Sequence, residues 1–425
     1  MLPKIVHIGT WDAVGGAAIA SYRLHTSLLK AGYDSKMYVR DKTKMDREIT
    51  RFNPPVSNLL YKLNLQLEKR NIARSFKPYA NTRQKDKEVF TMDKTMYGDF
   101  TAKQIPEADI IHLHWISNFM DIESTFRFLS ASGKRVVWTL HDMNAFTGGC
   151  HHDDDCGRYA NACGSCPQLG SSNPVDLSHQ IWQRKMKAYR SIPQAHIKIA
   201  TDSDWLTNCA RKSAHFKDFD ISTVHYGLDT DIFAPRDKAA ARKLFGIDEK
   251  KTVIAFGAAN LNNRRKGLHF LLEAMGFLEK DYPDLLLLIF GDGTFETSLK
   301  IPILSVGPVI NYHMLSFLYN AADIFVISSV REAFGQTCLE AMSCGTPVVG
   351  FNGGGIPDMI KDGYTGYLAE EWNSKSLAQA IKRLTDSPQM RKDMAVHARS
   401  FVLENFSLDL QLHTYLSIYN KLLAS

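Results

Sequence analysis

Short runs of β-branched and aromatic residues recur along almost the whole chain, each followed by a polar or glycine-rich turn and then by apolar positions at helical spacing. This alternation predicts parallel sheets with crossover helices. In the first half, strands are predicted over 4–9, 108–115, 134–140, 197–201 and 222–224, with a helix over 18–32. In the second half they fall over 252–257, 285–290, 305–309 and 323–329, with helices over 268–278 and 314–321. Three helices, 374–384, 390–403 and 408–423, close the chain. The strands read as buried apolar runs, as expected where helices cover both faces of a sheet. An α/β fold class follows.

The richest stretch is the strand Asp323-Ile324-Phe325-Val326-Ile327 with what comes after it. Phe334, Leu339 and Met342 recur at roughly helical spacing, so a helix is predicted to begin near Gly335, Gln336 or Thr337. Its free N–H groups and positive dipole end would face a ligand at the carboxyl edge of the sheet, a place that suits a diphosphate. Glu332 and Glu340 lie eight residues apart, which sets one carboxylate at the helix mouth and the other deeper. Near a phosphate, carboxylates are better suited to accepting hydrogen bonds from sugar hydroxyls than to holding the anion.

With 425 residues the chain exceeds what one core usually serves, and two domains are expected. The longest purely apolar run is 285–290, far short of a membrane span. The N-terminus enters its first strand without a signal-type apolar segment, so a cytoplasmic location is expected. The net charge of +6 is unevenly spread, since 36–103 holds 16 Lys or Arg against 8 Asp or Glu. That segment is a candidate contact for an anionic surface such as the inner face of a membrane. Within it Val56, Leu59, Leu60, Leu63 and Leu67 recur at helical spacing with Lys62, Lys69 and Arg70 around them. Packing of this stripe on its own domain is the first reading, and an interfacial role stays open. Few aromatics interleave the charges and no reading motif is present, which argues against nucleic acid.

Gly15 and Gly16 sit between the first strand and its helix, where paired glycines let backbone approach a ligand. Their spacing from Gly9 fits neither a dinucleotide fingerprint nor a P-loop. His141 stands at the end of the strand 134–140, where ligands of parallel sheets bind. In the polar loop 150–166, Cys150, Cys156, Cys163 and Cys166 have the spacing of a structural zinc site, with His151 and His152 as alternative ligands. Reduced thiols are the next reading and disulfides the last.

The strand before Glu332, the spacing to Glu340, the following Cys344-Gly345-Thr346-Pro347-Val348-Val349 and the turn Gly353-Gly354-Gly355 together resemble the C-terminal signature of the family 4 retaining glycosyltransferases. The resemblance spans nearly all the chain, strongest over 253–368 and patchy over 43–99. It implies a GT-B fold: two Rossmann-like domains facing a cleft, an acceptor-binding one over 1–226 and a nucleotide-sugar-binding one over 227–405, with a last helix over 406–425 crossing back to the first. It implies a UDP- or GDP-sugar donor, a glycan or lipid-linked glycan acceptor, a role in bacterial surface polysaccharide synthesis, and transfer without a catalytic metal or organic cofactor. By the same resemblance Lys266, with Arg265 or Arg264, meets the diphosphate, Glu332 holds sugar hydroxyls, Glu340 the ribose, and His141 the transferred sugar. Gly15, Gly16, Phe334, Gly335, Gln336, Thr337, Gly307 and Val309 complete the donor site. Two positions depart from the family: Ala258 where an arginine is usual, and His225-Tyr226 where an asparagine precedes the interdomain glycine. A nucleotide-sugar epimerase or glycan phosphorylase of related architecture is the alternative enzyme reading.

Overall fold

The computed structural model describes residues 2–83 and 89–424; residues 84–88 of the basic segment lie outside the described residues. The chain divides into two compact units. One comprises residues 1–225 with 411–425, the other 226–410.

The first unit is built on a seven-stranded sheet: β1 (Lys4–Trp11), β2 (Asp34–Asp41), β3 (Ile49–Arg51), β4 (Ile110–Leu113), β5 (Arg135–Leu140), β6 (Ile197–Thr201) and β7 (Ile221–Thr223). Its order is β3-β2-β1-β4-β5-β6-β7, and every pairing is parallel. The chain runs outward from β1 to β3, then restarts at β4 on the other side of β1. The carboxyl ends of β1 and β4 thus flank the point where the order reverses, the usual ligand crevice of such sheets. Ile5, Leu24, Leu28, Ile110 and Val137 form a core with Leu412, Tyr415, Tyr419 and Leu422, so the end of the helix Leu408–Ala424 belongs to this unit.

The second unit holds a six-stranded sheet: β8 (Thr252–Asn260), β9 (Leu285–Asp292), β10 (Ile303–Gly307), β11 (Ile324–Ile327), β12 (Val348–Phe351) and β13 (Gly366–Ala369). Its order is β10-β9-β8-β11-β12-β13, again parallel throughout. Here the reversal falls between β8 and β11. Side-chain caps close the starts of most longer helices; Asp121 accepts from Ser124 N at 2.9 Å and Asn311 from His313 N at 2.9 Å.

Three expectations need correction. The strands β2 and β3 add to those expected: β2 (DSKMYVRD) has only the short apolar run Met37-Tyr38-Val39 between polar residues, and β3 (ITR) is three residues long. The predicted strand 305–309 sits at 303–307, so Val309 falls in the turn beyond it. The leucine stripe does form a helix, Leu59–Phe76, but it does not pack on its own unit. Tyr61 is its one buried residue, while Val56, Leu59, Leu60, Leu63 and Leu67 are all more than half exposed.

Burial therefore separates two sets of apolar side chains sharply. Tyr419 is fully buried and its hydroxyl meets His112 Nδ1 at 2.7 Å. Tyr419→Ala is expected to cost about 3–5 kcal/mol of stability, as large-to-small changes of buried aromatics do. Leu63→Ala should stay within about 0.5 kcal/mol, as for surface positions. Urea denaturation of the two variants measures both values.

Candidate functional site

In the second unit the loops after β8 and β11 are sewn together at the reversal point. Val330 N donates to Arg265 O at 2.8 Å and Ser328 Oγ to Gly267 O at 2.8 Å. Gly267 has φ +75°, and a Cβ there would lie 1.7 Å from Ser328 O, so no other residue fits this crossing. The seam brings together the cations and carboxylate foreseen from the sequence. Lys266 Nζ lies 2.7 Å from Glu332 Oε2, and Arg265 reaches Glu332 Oε1 at 3.8 Å while donating to Arg331 O. Arg264 is exposed beside them. From below, Gly355 N donates to Glu332 O at 2.8 Å, and Gly354, at φ +58°, would drive a Cβ to 2.4 Å from that oxygen. The glycine turn is thus a support for the Glu332 backbone.

The helix Gln336–Ser343 starts where expected, from Gly335, and no side chain caps it. The positive end of its dipole thereby comes just after Glu332 in the chain. Gln336 and Thr337 are partly exposed at this end. Glu340 is nearly buried, and Tyr319 donates its hydroxyl to Glu340 Oε2 at 3.0 Å. Phe334 departs from its expected place: its ring packs inward on Tyr226 at 4.9 Å and Phe406 at 5.9 Å, leaving the backbone as its means of touching a ligand. Gly307 ends β10 at φ +75°, and Val309 follows it, at the sheet edge two strands from β8.

In the first unit His141 directly follows β5, and the loop behind it is tightly held. Asp142 Oδ2 accepts from Trp115 Nε1 at 2.7 Å and pairs with His151 Nδ1 at 2.6 Å, and Asp142 Oδ1 accepts from Asn144 N at 2.8 Å. The His151 pairing and these hydrogen bonds outweigh burial and hold the Asp142 carboxyl well below the usual carboxylate range. Lys185, buried on the helix Leu177–Tyr189, donates to the carbonyls of Asn144 and Thr147. Burial lowers its ammonium to about 8. Asp12, just after β1, accepts from Thr43 N at 2.6 Å and Lys44 N at 2.7 Å. Gly15 caps the next helix at φ +87°, and open space surrounds the position a Cβ would take there. Gly16 is exposed at that helix's first position.

The cysteine loop is not as short of apolar support as its composition suggested. Cys150 and Cys166 pack with Phe90, Leu169, Leu177 and Ile181. Cys150, Cys156, Cys163 and Cys166 are free thiols, and burial pushes Cys163 up to about 12. Among the described residues no three of these sulfurs lie within 4.8 Å of one another. A tetrahedral site with zinc–sulfur bonds of about 2.3 Å needs them about 3.8 Å apart. The zinc expected from the spacing does not fit the thiols as they are placed, and adding His151 or His152, the alternative ligands, brings no three ligand atoms within 4.8 Å either, among the described residues.

Four contributors escaped the sequence reading: His7, His114, Asp142 and Lys185. Histidines at 112 and 114 alternate along one strand and its continuation, so they share a face of an otherwise apolar sheet, a signal that was readable. Nothing in the sequence singled out Lys185.

Both units have the organisation of GT-B proteins. Over nearly the full length, the chain superposes on sucrose-phosphate synthase from Thermosynechococcus elongatus with a TM-score of 0.67, 18% identity and 99% of each chain covered. It also superposes on Anabaena Alr3699/HepE in complex with UDP, with a TM-score of 0.69, 14% identity, and 98% and 99% coverage. Residues 237–401, within the second unit, match the family "Glycosyl transferases group 1". D-inositol 3-phosphate glycosyltransferase of Segniliparus rotundus is 31% identical over 200 residues, 43% of this chain and 44% of that protein. N-acetyl-alpha-D-glucosaminyl L-malate synthase of Bacillus anthracis is 32% identical over 212 residues, 47% and 53% of the two chains. The chain spans about half the length of the curated relatives it matches.

Buried neutral histidines give the first unit a defined acid response. His25 and His215 are lowered from 6.5 to about 4, chiefly by burial. Below pH 6.5 the unfolded chain takes up protons that the folded chain refuses. Stability is therefore full above about pH 6.5 and falls as pH drops toward 4, by up to about 1.4 kcal/mol per pH unit for each such histidine. Urea midpoints at pH 7, 6 and 5 should decline in that order.

Proposed function

We propose that this chain transfers a sugar from a nucleotide-sugar to a hydroxyl acceptor, with retention at the anomeric carbon. The observation that carries the reading is the Lys266–Glu332 pair at 2.7 Å, set at the reversal point of the second sheet beside an uncapped helix start. A cation and helix N–H groups suit a diphosphate, while a carboxylate at the same spot suits sugar hydroxyls. The names of the group 1 relatives support the activity class, and UDP and UDP-glucose in the Anabaena structures support a nucleotide-sugar donor, here a UDP- or GDP-sugar.

In this reading Lys266 and Arg265 stabilise charge as it develops on the departing diphosphate, so the transfer needs no catalytic metal. Glu332 orients the sugar and Glu340 accepts from the ribose. His141, in the first unit, contacts the transferred sugar. Retention without a protein nucleophile follows from attack on the face the phosphate leaves, with that phosphate taking the acceptor's proton. A glycan or lipid-linked glycan of a surface polysaccharide is the acceptor class the family resemblance favours.

A lipid-carried acceptor would be met at a membrane surface, which the helix Leu59–Phe76 suits. Leu59, Leu63 and Leu67 recur every fourth residue and are exposed, flanked by Lys62 and Lys69. Among the described residues no helix is long and apolar enough to cross a membrane. Surface binding would rest on leucine insertion and on about 1 kcal/mol for each basic residue near an anionic leaflet.

Two measurements test these assignments. Calorimetry with free nucleotide and with intact nucleotide-sugar should show Lys266→Ala and Glu340→Ala weakening both ligands by about 1.5–3 kcal/mol. Glu332→Ala should spare free nucleotide, because it also releases Lys266, and weaken only the intact donor; equal loss of both ligands would refute this division. In vesicle co-sedimentation, binding to anionic but not neutral vesicles is expected, reversed by salt and weakened by Lys62→Glu with Arg70→Glu. Indifference to both vesicle types would remove the membrane from the reading.

A further inference from the structure

Behind His141 the first unit buries a row of imidazoles that the proposed transfer does not yet use. His7 Nδ1 lies 2.9 Å from His114 Nε2, and His114 Nδ1 lies 3.1 Å from His141 Nε2. The rings run edge to edge, with centroids 5.2 Å apart and planes inclined by 27° for the first pair, and 5.3 Å and 26° for the second. His7 is on β1, His114 follows β4 and His141 follows β5, so three strand ends fix the row.

A metal is not the explanation, although His7, His112 and His114 bring one ring nitrogen each within 4.8 Å of the others. His112 and His114 stack face to face at 4.1 Å and 26°, whereas ligation needs in-plane lone pairs aimed at one point. Both nitrogens of His112 are also engaged, at 2.7 Å with the Tyr419 hydroxyl and at 2.7 Å with Thr139 Oγ1.

Proton counting decides what the row does. Burial disfavours the charged form of each ring, with repulsion from neighbouring imidazoles adding to it at His7 and His114, so three neutral imidazoles share three N–H groups. The two nitrogen–nitrogen contacts take one proton each, leaving the third at one end, on His7 Nε2 or on His141 Nδ1. His7 Nε2 is buried and has no hydrogen-bond partner. A buried N–H without an acceptor is the costlier state, compared with an unused lone pair. The third proton belongs on His141 Nδ1, and all three rings are Nδ1–H tautomers.

We propose that His114, backed by His7, is a positioning residue: it donates to His141 Nε2 and so locks His141 as an N–H donor toward a hydroxyl of the transferred sugar. The inference rests on the reading of His141 as a sugar contact. His114 touches no substrate and acts only through His141.

The test uses the full chain and a pair of variants that a packing role would not distinguish. In His114→Asn the side-chain amide N–H stands where Nδ1–H was, whereas in His114→Gln it reaches toward the Nε2 position and His141 loses its donor. Imidazole nitrogen NMR, with the His141 signal assigned by its loss in His141→Ala, needs no ligand. The Nδ1–H tautomer is expected in the parent and in His114→Asn, and a shift toward Nε2–H in His114→Gln. An Nε2–H tautomer in the parent, or the same tautomer in both variants, would overturn the proposal. Turnover is then followed with UDP-glucose, or with the nucleotide-sugar hydrolysed in its place. His114→Asn should stay within about threefold of the parent, and His114→Gln should lose kcat by roughly 10–100-fold, the usual effect of removing an orienting partner, with KM for the donor little changed. Full turnover in His141→Ala would defeat the reading of His141 itself. Loss of turnover in His141→Ala with parental turnover in both His114 variants would leave that reading standing and defeat the positioning role alone.

Discussion

Parallel pairing of every strand is the constraint on which the rest of the structure depends. A parallel strand cannot be followed by a hairpin, so each connection must cross a face of the sheet and all carboxyl ends gather along one edge. Within each unit the strand order reverses once, between β1 and β4 and again between β8 and β11. The loops leaving those strands have no neighbouring crossover to fill the gap. In the second unit the gap collects Arg265, Lys266 and Glu332, and in the first the turn after β1 and the segment Trp115–Ser117 meet there, Thr10 Oγ1 donating to Ser117 O at 2.7 Å. The chemistry is placed by topology before any side chain is chosen.

Charge is handled differently in the two units. The second sets opposite charges side by side at a partly open seam, Lys266 and Arg265 against Glu332. The first joins neutral polar groups through its core: Thr139 is held between His112 and the Tyr415 hydroxyl, at 2.7 and 2.8 Å. Such a network, once complete, is rigid, because moving one ring strands the hydrogen-bonding group of its neighbour. The end of the helix Leu408–Ala424 supplies two of its hydroxyls, which ties the last residues of the chain to the middle of the first sheet.

The alternation of strand and helix was legible wherever strands were continuous apolar runs, as in β11, and illegible where a short apolar run lay between polar residues, as in β2. The helix start at Gly335 was readable because the glycine and the apolar spacing agree. What periodicity could not tell was on which side an apolar stripe finds a partner: Leu59, Leu63 and Leu67 have the spacing of a packed face, and only the fold shows that each is more than half exposed among the described residues. The cysteines teach a related lesson, since spacing along the chain sets which sulfurs are able to meet and the apolar cluster around Cys150 and Cys166 sets how closely they do. The histidine row was half visible, in the alternation of His112 and His114. His7 joins it only through the pairing of β1 with β4, where it stands level with His112.

Lys185 shows how distant positions become bound to one another in descent. Its ammonium satisfies two carbonyls in the turn that carries Asn144 and Thr147. Exchange for an apolar residue of equal size would strand both oxygens, and exchange for a shorter cation would pull the turn inward. Neither half of the arrangement can drift alone. Among descendants of one ancestor, the residue at 185 and the conformation of the turn after β5 should therefore be inherited together or replaced together.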